Sequence, residues 1–172
     1  MNTSIVLTVV SDDRPGIVEE LSEVIADHGG NWAESSMMSL AGKFAGILLV
    51  QLPGENVEGF FAKLKALESR GMQVVAQLSD APPLADSGRE HSIELVGQDR
   101  PGIVHEITEV LADFNINVQE LETTVQSASM SGESLFMANA RIFIPPTTDM
   151  EALQEKLEDL ANELMVDIEL EV

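Results

Sequence analysis

The stretch "DRPGIV" occupies Asp13–Val18 and returns unchanged at Asp99–Val104, 86 residues further along a chain of 172. At the same offset Glu20, Glu23, Val24, Ala26, Asp27 and Asn31 match Glu106, Glu109, Val110, Ala112, Asp113 and Asn117, so 12 of 19 consecutive positions are identical. Several mismatches are conservative: Leu21 stands against Ile107, Ser22 against Thr108 and Ile25 against Leu111. Solenoid repeats run roughly 20–50 residues, so a period this long marks a duplicated domain. The expected organisation is residues 1–79, a linker at 80–90, and residues 91–172. Domains of about 80 residues bury little more than about 60% of their unfolded surface. The two halves are therefore expected to pack together.

Outward from the hexapeptide, the pattern changes period. Leu7 and Val9 alternate with Thr8, as Ile93 and Leu95 alternate with Glu94, which is the signature of a half-buried strand. After the proline, Ile17, Leu21, Val24 and Ile25 fall on one helical stripe, and so do Ile103, Ile107, Val110 and Leu111. "GGN" at Gly29–Asn31 and "NIN" at Asn115–Asn117 supply residues that tolerate left-handed backbone, so each helix should stop there. Two strands joined at Ala41–Lys43 and at Ser131–Glu133 read as hairpins turned by glycine. The offset has grown to 90 at those turns, so the second hairpin is the longer. A second helix follows in each half, carrying Val57, Phe60, Phe61, Leu64 and Leu67, or Met150, Leu153, Leu157, Leu160 and Leu164. Alternation of Val166, Ile168, Leu170 and Val172 with acids ends the chain as a strand with one wet face. The order βαββαβ, performed twice, predicts an α+β protein of two ferredoxin-like domains, each a four-stranded antiparallel sheet with two helices on one face.

One strand breaks the alternation. "FAGILLVQL", Phe44–Leu52, is apolar at nearly every position, so both of its faces are expected to be covered. The helices cover one. The other half's sheet, or a second chain in a homodimer joined around Phe44–Leu52, is expected to cover the rest; an apolar face left exposed is the alternative.

Composition removes several classes of function. With no cysteine there is no disulfide framework, thiol nucleophile or zinc knuckle. The opening "MNTSIVLTVVSDD" lacks the basic start and long apolar run of a secretory signal, and nothing approaches the ~20 apolar residues of a membrane span. A cytoplasmic protein without membrane contact is expected. A net charge of −21 repels the phosphate backbone, whose neutralisation supplies non-specific nucleic-acid affinity, so direct DNA binding is not expected. The acidity reads as a solvated surface or as a means of steering a basic protein partner. It is densest between Asp149 and Glu171, where nine acidic residues face one base, Lys156.

At the hexapeptide itself, Pro15 and Pro101 suit the first helical position, because the proline ring presets φ and removes a donor that would be orphaned there. Arg14 and Arg100, each preceding a proline, are pushed to extended geometry. Gly16 and Gly102 leave the helix end open, and free backbone N–H groups at the positive end of the helix dipole suit a carboxylate. Asn31 and Asn117 are expected at the same end of the sheet, and an amino acid's ammonium would meet Asp12, Asp13 or an asparagine amide. The candidate ligand-binding residues are thus Asp12, Asp13, Arg14, Gly16, Ile17 and Asn31, with Asp99, Arg100, Gly102, Ile103, Asn115 and Asn117 in the second half. By turn chemistry alone the motif is equally a good way of passing from strand into helix.

"SDDRPGIVEELSEVIADHGGNW" and "GQDRPGIVHEITEVLADFNINV" resemble the opening of ACT domains, small regulatory modules that bind amino acids. The resemblance covers nearly the whole chain as two tandem copies. Among such proteins the chain is similar to the glycine cleavage system transcriptional repressor family. That resemblance implies a non-enzymatic sensor of a small amino acid, glycine foremost, acting through a DNA-binding protein partner. An ACT pair that has lost its ligand and serves protein assembly is the alternative. Gly30 and Trp32 stand where the second copy has Ile116 and Val118, so the two sites are not equivalent.

Enzyme readings find little support. His28 lies on an apolar helical stripe near a helix C-terminus, His105 replaces Glu19 on an expected exposed position, and His91 opens a strand. No His-x-x-x-His or Cys-x-x-Cys occurs, so no metal or other cofactor is expected. Glu19, Glu20 and Glu23 read as a solvated helix face, and the eight methionines as core filling.

Overall fold

A computed structural model describes residues 1–80 and 88–172, and the chain divides into two units, Met1–Pro82 and Pro83–Val172. The expected linker falls largely on residues 81–87, which lie outside the described residues. In the first unit the order is β1 (Asn2–Asp12), α1 (Ile17–Asp27), β2 (Asn31–Leu40), β3 (Lys43–Pro53), α2 (Val57–Ala66) and β4 (Met72–Leu78). The second repeats it as β5 (Arg89–Gln98), α3 (Ile103–Asp113), β6 (Asn117–Ser127), β7 (Ser134–Ile144), α4 (Met150–Leu164) and β8 (Val166–Glu171). Each unit forms one antiparallel sheet, ordered β2-β3-β1-β4 and β6-β7-β5-β8, as the ferredoxin-like reading predicts.

Alternation decides which side of each sheet meets the helices. On β1 the residues Ile5, Leu7 and Val9 are fully buried, and they join Ile17, Leu21 and Ile25 of α1 and Phe60 and Leu64 of α2 in one core. The second core repeats the plan with Ile93, Leu95, Ile103, Ile107, Leu111, Leu153 and Leu157. Burying an aliphatic or aromatic side chain of this size contributes about 1.5–3 kcal/mol, so the stripe of α1 or α3 alone outweighs its weak intrinsic helicity.

Helix ends follow the residues read from the sequence. Gly29 and Asn115 adopt left-handed φ of 68° and 56°. The N–H of Gly30 returns to the Ile25 carbonyl at 2.9 Å and that of Ile116 to the Leu111 carbonyl at 2.9 Å, closing a Schellman motif at each end. The first hairpin turns through Ala41 and Gly42, both at positive φ, in a two-residue turn, whereas six residues separate Ser127 from Ser134 in the second. On α4, Asp149 caps the N-terminus by accepting from the Ala152 N–H at 3.1 Å.

Phe44–Leu52 resolves into two faces. Leu48, Val50 and Leu52 are buried beneath the helices, while Ile47 on the open face of the sheet is 56% exposed.

Candidate functional site

The two hexapeptides share one backbone. Gly16 has φ 91°, ψ −1° and Gly102 has φ 94°, ψ −7°. Those angles belong to the third residue of a type II turn, near about (80°, 0°), with proline before it at the position type II turns favour. Each glycine is the N-cap of its helix, which begins at Ile17 or Ile103. Pro15 and Pro101 therefore precede the cap, contrary to the first-turn position expected from sequence; the left-handed glycine interrupts the helical geometry that the proline would otherwise have begun. No side chain caps either helix, and the first helical bonds run from the Glu20 N–H to the Gly16 carbonyl (2.9 Å) and from Glu106 to Gly102 (3.0 Å). Open N-termini of this kind favour an anion.

The side chains around the two turns differ. At the first junction Asp12 pairs with Lys43, and the Asp13 carboxylate accepts from Ser39 Oγ at 2.6 Å. The Asp13 N–H donates to the Gly42 carbonyl at 3.0 Å, tying the junction to the tip of the β2–β3 hairpin. Arg14 grips Glu20 with both terminal nitrogens, at 2.9 and 3.3 Å, and Arg70 approaches the same carboxylate at 3.7 Å. Glu20 is only 21% exposed, so it does not belong to the solvated face expected for Glu19, Glu20 and Glu23. The hydrogen bond and charge of Arg14 hold the Glu20 carboxyl below its ordinary value against partial desolvation, and Glu20 in turn raises Arg14. Lys43 likewise lowers Asp12, first by its hydrogen bond and then by its charge.

At the second junction the backbone tie is kept, the Asp99 N–H donating to the Ser134 carbonyl at 2.8 Å. The ion pairs are not. Gln98 and Leu135 face each other where Asp12 and Lys43 do, and the position of Arg70 falls to the buried Leu164. Asp99 and Arg100 are exposed and have no ion pair among the described residues. Of the partners found here, Glu20 carried a usable signal, being identical in both copies, whereas nothing in the sequence joined Arg70 to the hexapeptide.

Asn31 and Asn117 lie at the other end of their sheets, which corrects the expected placement. Asn31 pairs with Gln51 and through it with Ser4, whereas Asp12 pairs with Lys43. Eight residues of β3 separate those levels, about 27 Å at the rise of an extended strand. Asn117, aligned with Phe143 and Glu90, stands equally far from Gln98 and Leu135. A small amino acid at a junction does not reach the asparagine of its own unit. Asn115 serves the left-handed helix stop beside Asn117.

Ile17 and Ile103 are buried, and Ile103 lines an apolar cavity of about 20 Å³ between α3 and the sheet, with Val118, Leu121 and Ala140. In the first unit Trp32 and Leu48 stand where Val118 and Ala140 do, and both pack into the core. The open face of the second sheet is acidic: Glu90, Glu94, Glu120, Glu122, Asp167, Glu169 and Glu171 share it with one base, Arg141, which pairs with Glu120 at 2.9 Å. A depression of about 450 Å³ there is lined by Glu90, Glu120, Glu122, Asn139 and Arg141.

His28 contacts the Val24 carbonyl through Nδ1 at 2.7 Å and meets the Phe60 ring edge-on at 5.6 Å, a helix-end role. His105 is exposed. No cluster of three metal-ligating side chains occurs among the described residues, and no described helix is long and apolar enough to cross a membrane.

Two βαββαβ units with a glycine-capped hexapeptide junction define the class. Family models for the ACT domain match residues 3–77 and 91–162, and the chain belongs to the ACT-domain family, with two such domains in tandem. It is 39% identical to the UPF0237 protein MK1213 of Methanopyrus kandleri over 83 residues, which are 45% of this chain and 90% of that protein. Over 98% of its length it is 25% identical to phosphoserine phosphatase SerB2 of Mycobacterium tuberculosis, of which it spans 40%. An unknown protein from Galdieria sulphuraria superposes with a TM-score of 0.85 at 32% identity, covering 99% of this chain and 98% of that one. A candidate glycine cleavage system transcriptional repressor shares the fold over 99% of this chain and 96% of its own, with a TM-score of 0.71 at 18% identity.

Proposed function

We propose that this protein is a non-enzymatic, amino-acid-sensing regulator that works through protein contacts, in the manner of a glycine cleavage repressor, with glycine as its ligand. The observation that carries the reading is the duplicated junction, where left-handed Gly16 and Gly102 open two uncapped helix N-termini in ACT-domain context. The second junction is the binding one. Arg100 and the N-terminus of α3 receive the carboxylate, and Asp99 receives the ammonium; among the described residues no ion pair has to be broken first. At the first junction the counterparts Arg14 and Asp13 are occupied by Glu20 and Ser39, and the neighbouring Asp12 by Lys43, which favours an assembly role there. The partner is a basic protein such as a DNA-binding regulator: the charge of −21 disfavours duplex DNA, and the acidic face of the second sheet would steer a basic surface.

Thermal melting with each common amino acid at millimolar concentration tests the sensor. A ligand at 100 times its Kd stabilises the native state by about 2.7 kcal/mol, so glycine should raise Tm by several degrees. No shift with any amino acid would leave the assembly role.

A further inference from the structure

We infer that the free edge of β8 takes a basic segment of a partner protein as a fifth strand of the second sheet, an inference that rests on the reading of a basic partner given above. β8 ends the order β6-β7-β5-β8 and pairs only with β5 among the described residues, so the outer row of its N–H and C=O groups is open. Its residues alternate: Val166, Ile168 and Leu170 lie on the helix side of the sheet, and Asp167, Glu169 and Glu171 on the open side. Ile168 and Leu170 pack against the core yet are only partly buried. A depression of about 590 Å³ adjoins this edge, and the charges in its lining are Glu158 of α4 with Glu94, Asp167 and Glu169 of the sheet, four carboxylates without a cation. Ligand-sized clefts fall in the same range of about 300–1,000 Å³.

The duplicated unit shows that the fold does not require these charges. At the register positions of Asp167, Glu169 and Glu171, β4 carries Gln73, Val75 and Gln77. Across the whole sheet, the row Ser36–Ile47–Thr8–Val75 of the first unit corresponds to Glu122–Asn139–Glu94–Glu169 in the second. Glu94 and Glu169 stand directly opposite each other, a like-charged pair that costs the sheet stability, and neither has an ion pair among the described residues. An incoming cation relieves that repulsion. The same charges select the occupant. A second copy of β8 would set three carboxylates against three. A strand with Lys or Arg at every second position instead matches their spacing of about 7 Å, and its intervening apolar residues cover Ile168 and Leu170. Strand addition of this kind draws affinity from main-chain hydrogen bonds and specificity from alternate side chains.

Fluorescence anisotropy on the full chain tests this with a labelled, end-capped peptide of alternating lysine and valine, about the length of β8. A second peptide, N-methylated at every backbone amide, keeps each charge and removes every ladder donor. The protein variants are the triple Asp167→Asn, Glu169→Gln, Glu171→Gln and, as a control of equal charge loss on exposed positions of α1, the triple Glu19→Gln, Glu23→Gln, Asp27→Asn. Circular dichroism checks that both remain folded. Wild type and the α1 variant should bind the first peptide alike, more weakly as salt rises. Loss of several ladder bonds should weaken the N-methylated peptide by at least about tenfold, and loss of three cross-strand charge pairs should weaken the β8 variant by about tenfold. No binding of the first peptide at about 100 µM protein, or equal loss in the β8 and α1 variants, would overturn the inference. Equal binding of the two peptides would overturn strand addition and leave a basic partner held by charge alone. Glycine titration of the same proteins is a separate readout, so the sensor reading stands or falls independently of this result.

Discussion

Replacing Gly16 by alanine probes the backbone on which the junction depends. Gly16 sits at φ 91° and ψ −1°, where a Cβ approaches the carbonyl that follows, yet the nearest outside atom to that Cβ is Glu19 Oε2 at 3.9 Å. Steric conflict with the rest of the protein is therefore negligible. The cost is conformational, about 1–2 kcal/mol for an L-residue held in left-handed backbone. Gly102, at φ 94° and with Glu106 Oε1 as its nearest neighbour at 3.9 Å, should cost the same when replaced. For a unit of about 80 residues, 1 kcal/mol corresponds to about 4–8 °C in Tm. Urea denaturation of Gly16→Ala and Gly102→Ala, each followed through its own unit's transition, should show matching losses within that range. Losses below about 0.5 kcal/mol would refute the left-handed turn as the element that shapes the junction. A loss in one unit alone would refute the equivalence of the two backbones.

Glu20, held by Arg14 below its ordinary carboxyl value of 4.5, contributes stability that is fully present above that pH and is lost as pH falls through the folded value. Glu20→Gln should therefore lower stability at neutral pH and flatten the acid limb, which denaturant titrations at several pH values would show; an unchanged acid limb would remove Glu20 from the junction's electrostatics. Asp149→Ala should cost about 1 kcal/mol through loss of the cap on the Ala152 N–H, and Asp149→Asn only a few tenths, both measurable by thermal denaturation of the second unit.

The elements were legible because their periods are strong. Leu7 and Val9 against Thr8, or Leu153, Leu157, Leu160 and Leu164, leave no other assignment, and Gly29 and Asn115 marked the helix ends through their tolerance of positive φ. Local chemistry at the hexapeptide was legible in part. The proline and glycine signalled a strand-to-helix turn, but the choice between proline as first helical residue and glycine as left-handed cap depends on φ, which the letters do not encode. Long-range placement was the harder matter. Asn31 follows α1 by only a few residues, and α1 runs back along the sheet, so the strand it opens starts at the far end from Asp12. Arg70 reaches Glu20, 50 residues away in the chain, only because β4 pairs with β1 through Ser11 and Met72. The apolar run Phe44–Leu52 was expected to be covered on both faces; the strand register puts Ala45, Ile47 and Leu49 on the open face, where Ile47 is exposed.

The most direct measurement is calorimetric titration of glycine into three proteins: wild type, Arg14→Gln and Arg100→Gln. Arg100 is exposed and free of ion pairs among the described residues, so Arg100→Gln should leave the fold intact. A charge-assisted bond to a carboxylate contributes about 1.5–3 kcal/mol, so its loss should weaken glycine by about 10- to 150-fold. Arg14→Gln, which removes a guanidinium already held by Glu20, should bind glycine as the wild type does. Equal affinity in wild type and Arg100→Gln, or loss confined to Arg14→Gln, would contradict amino-acid sensing at the second junction.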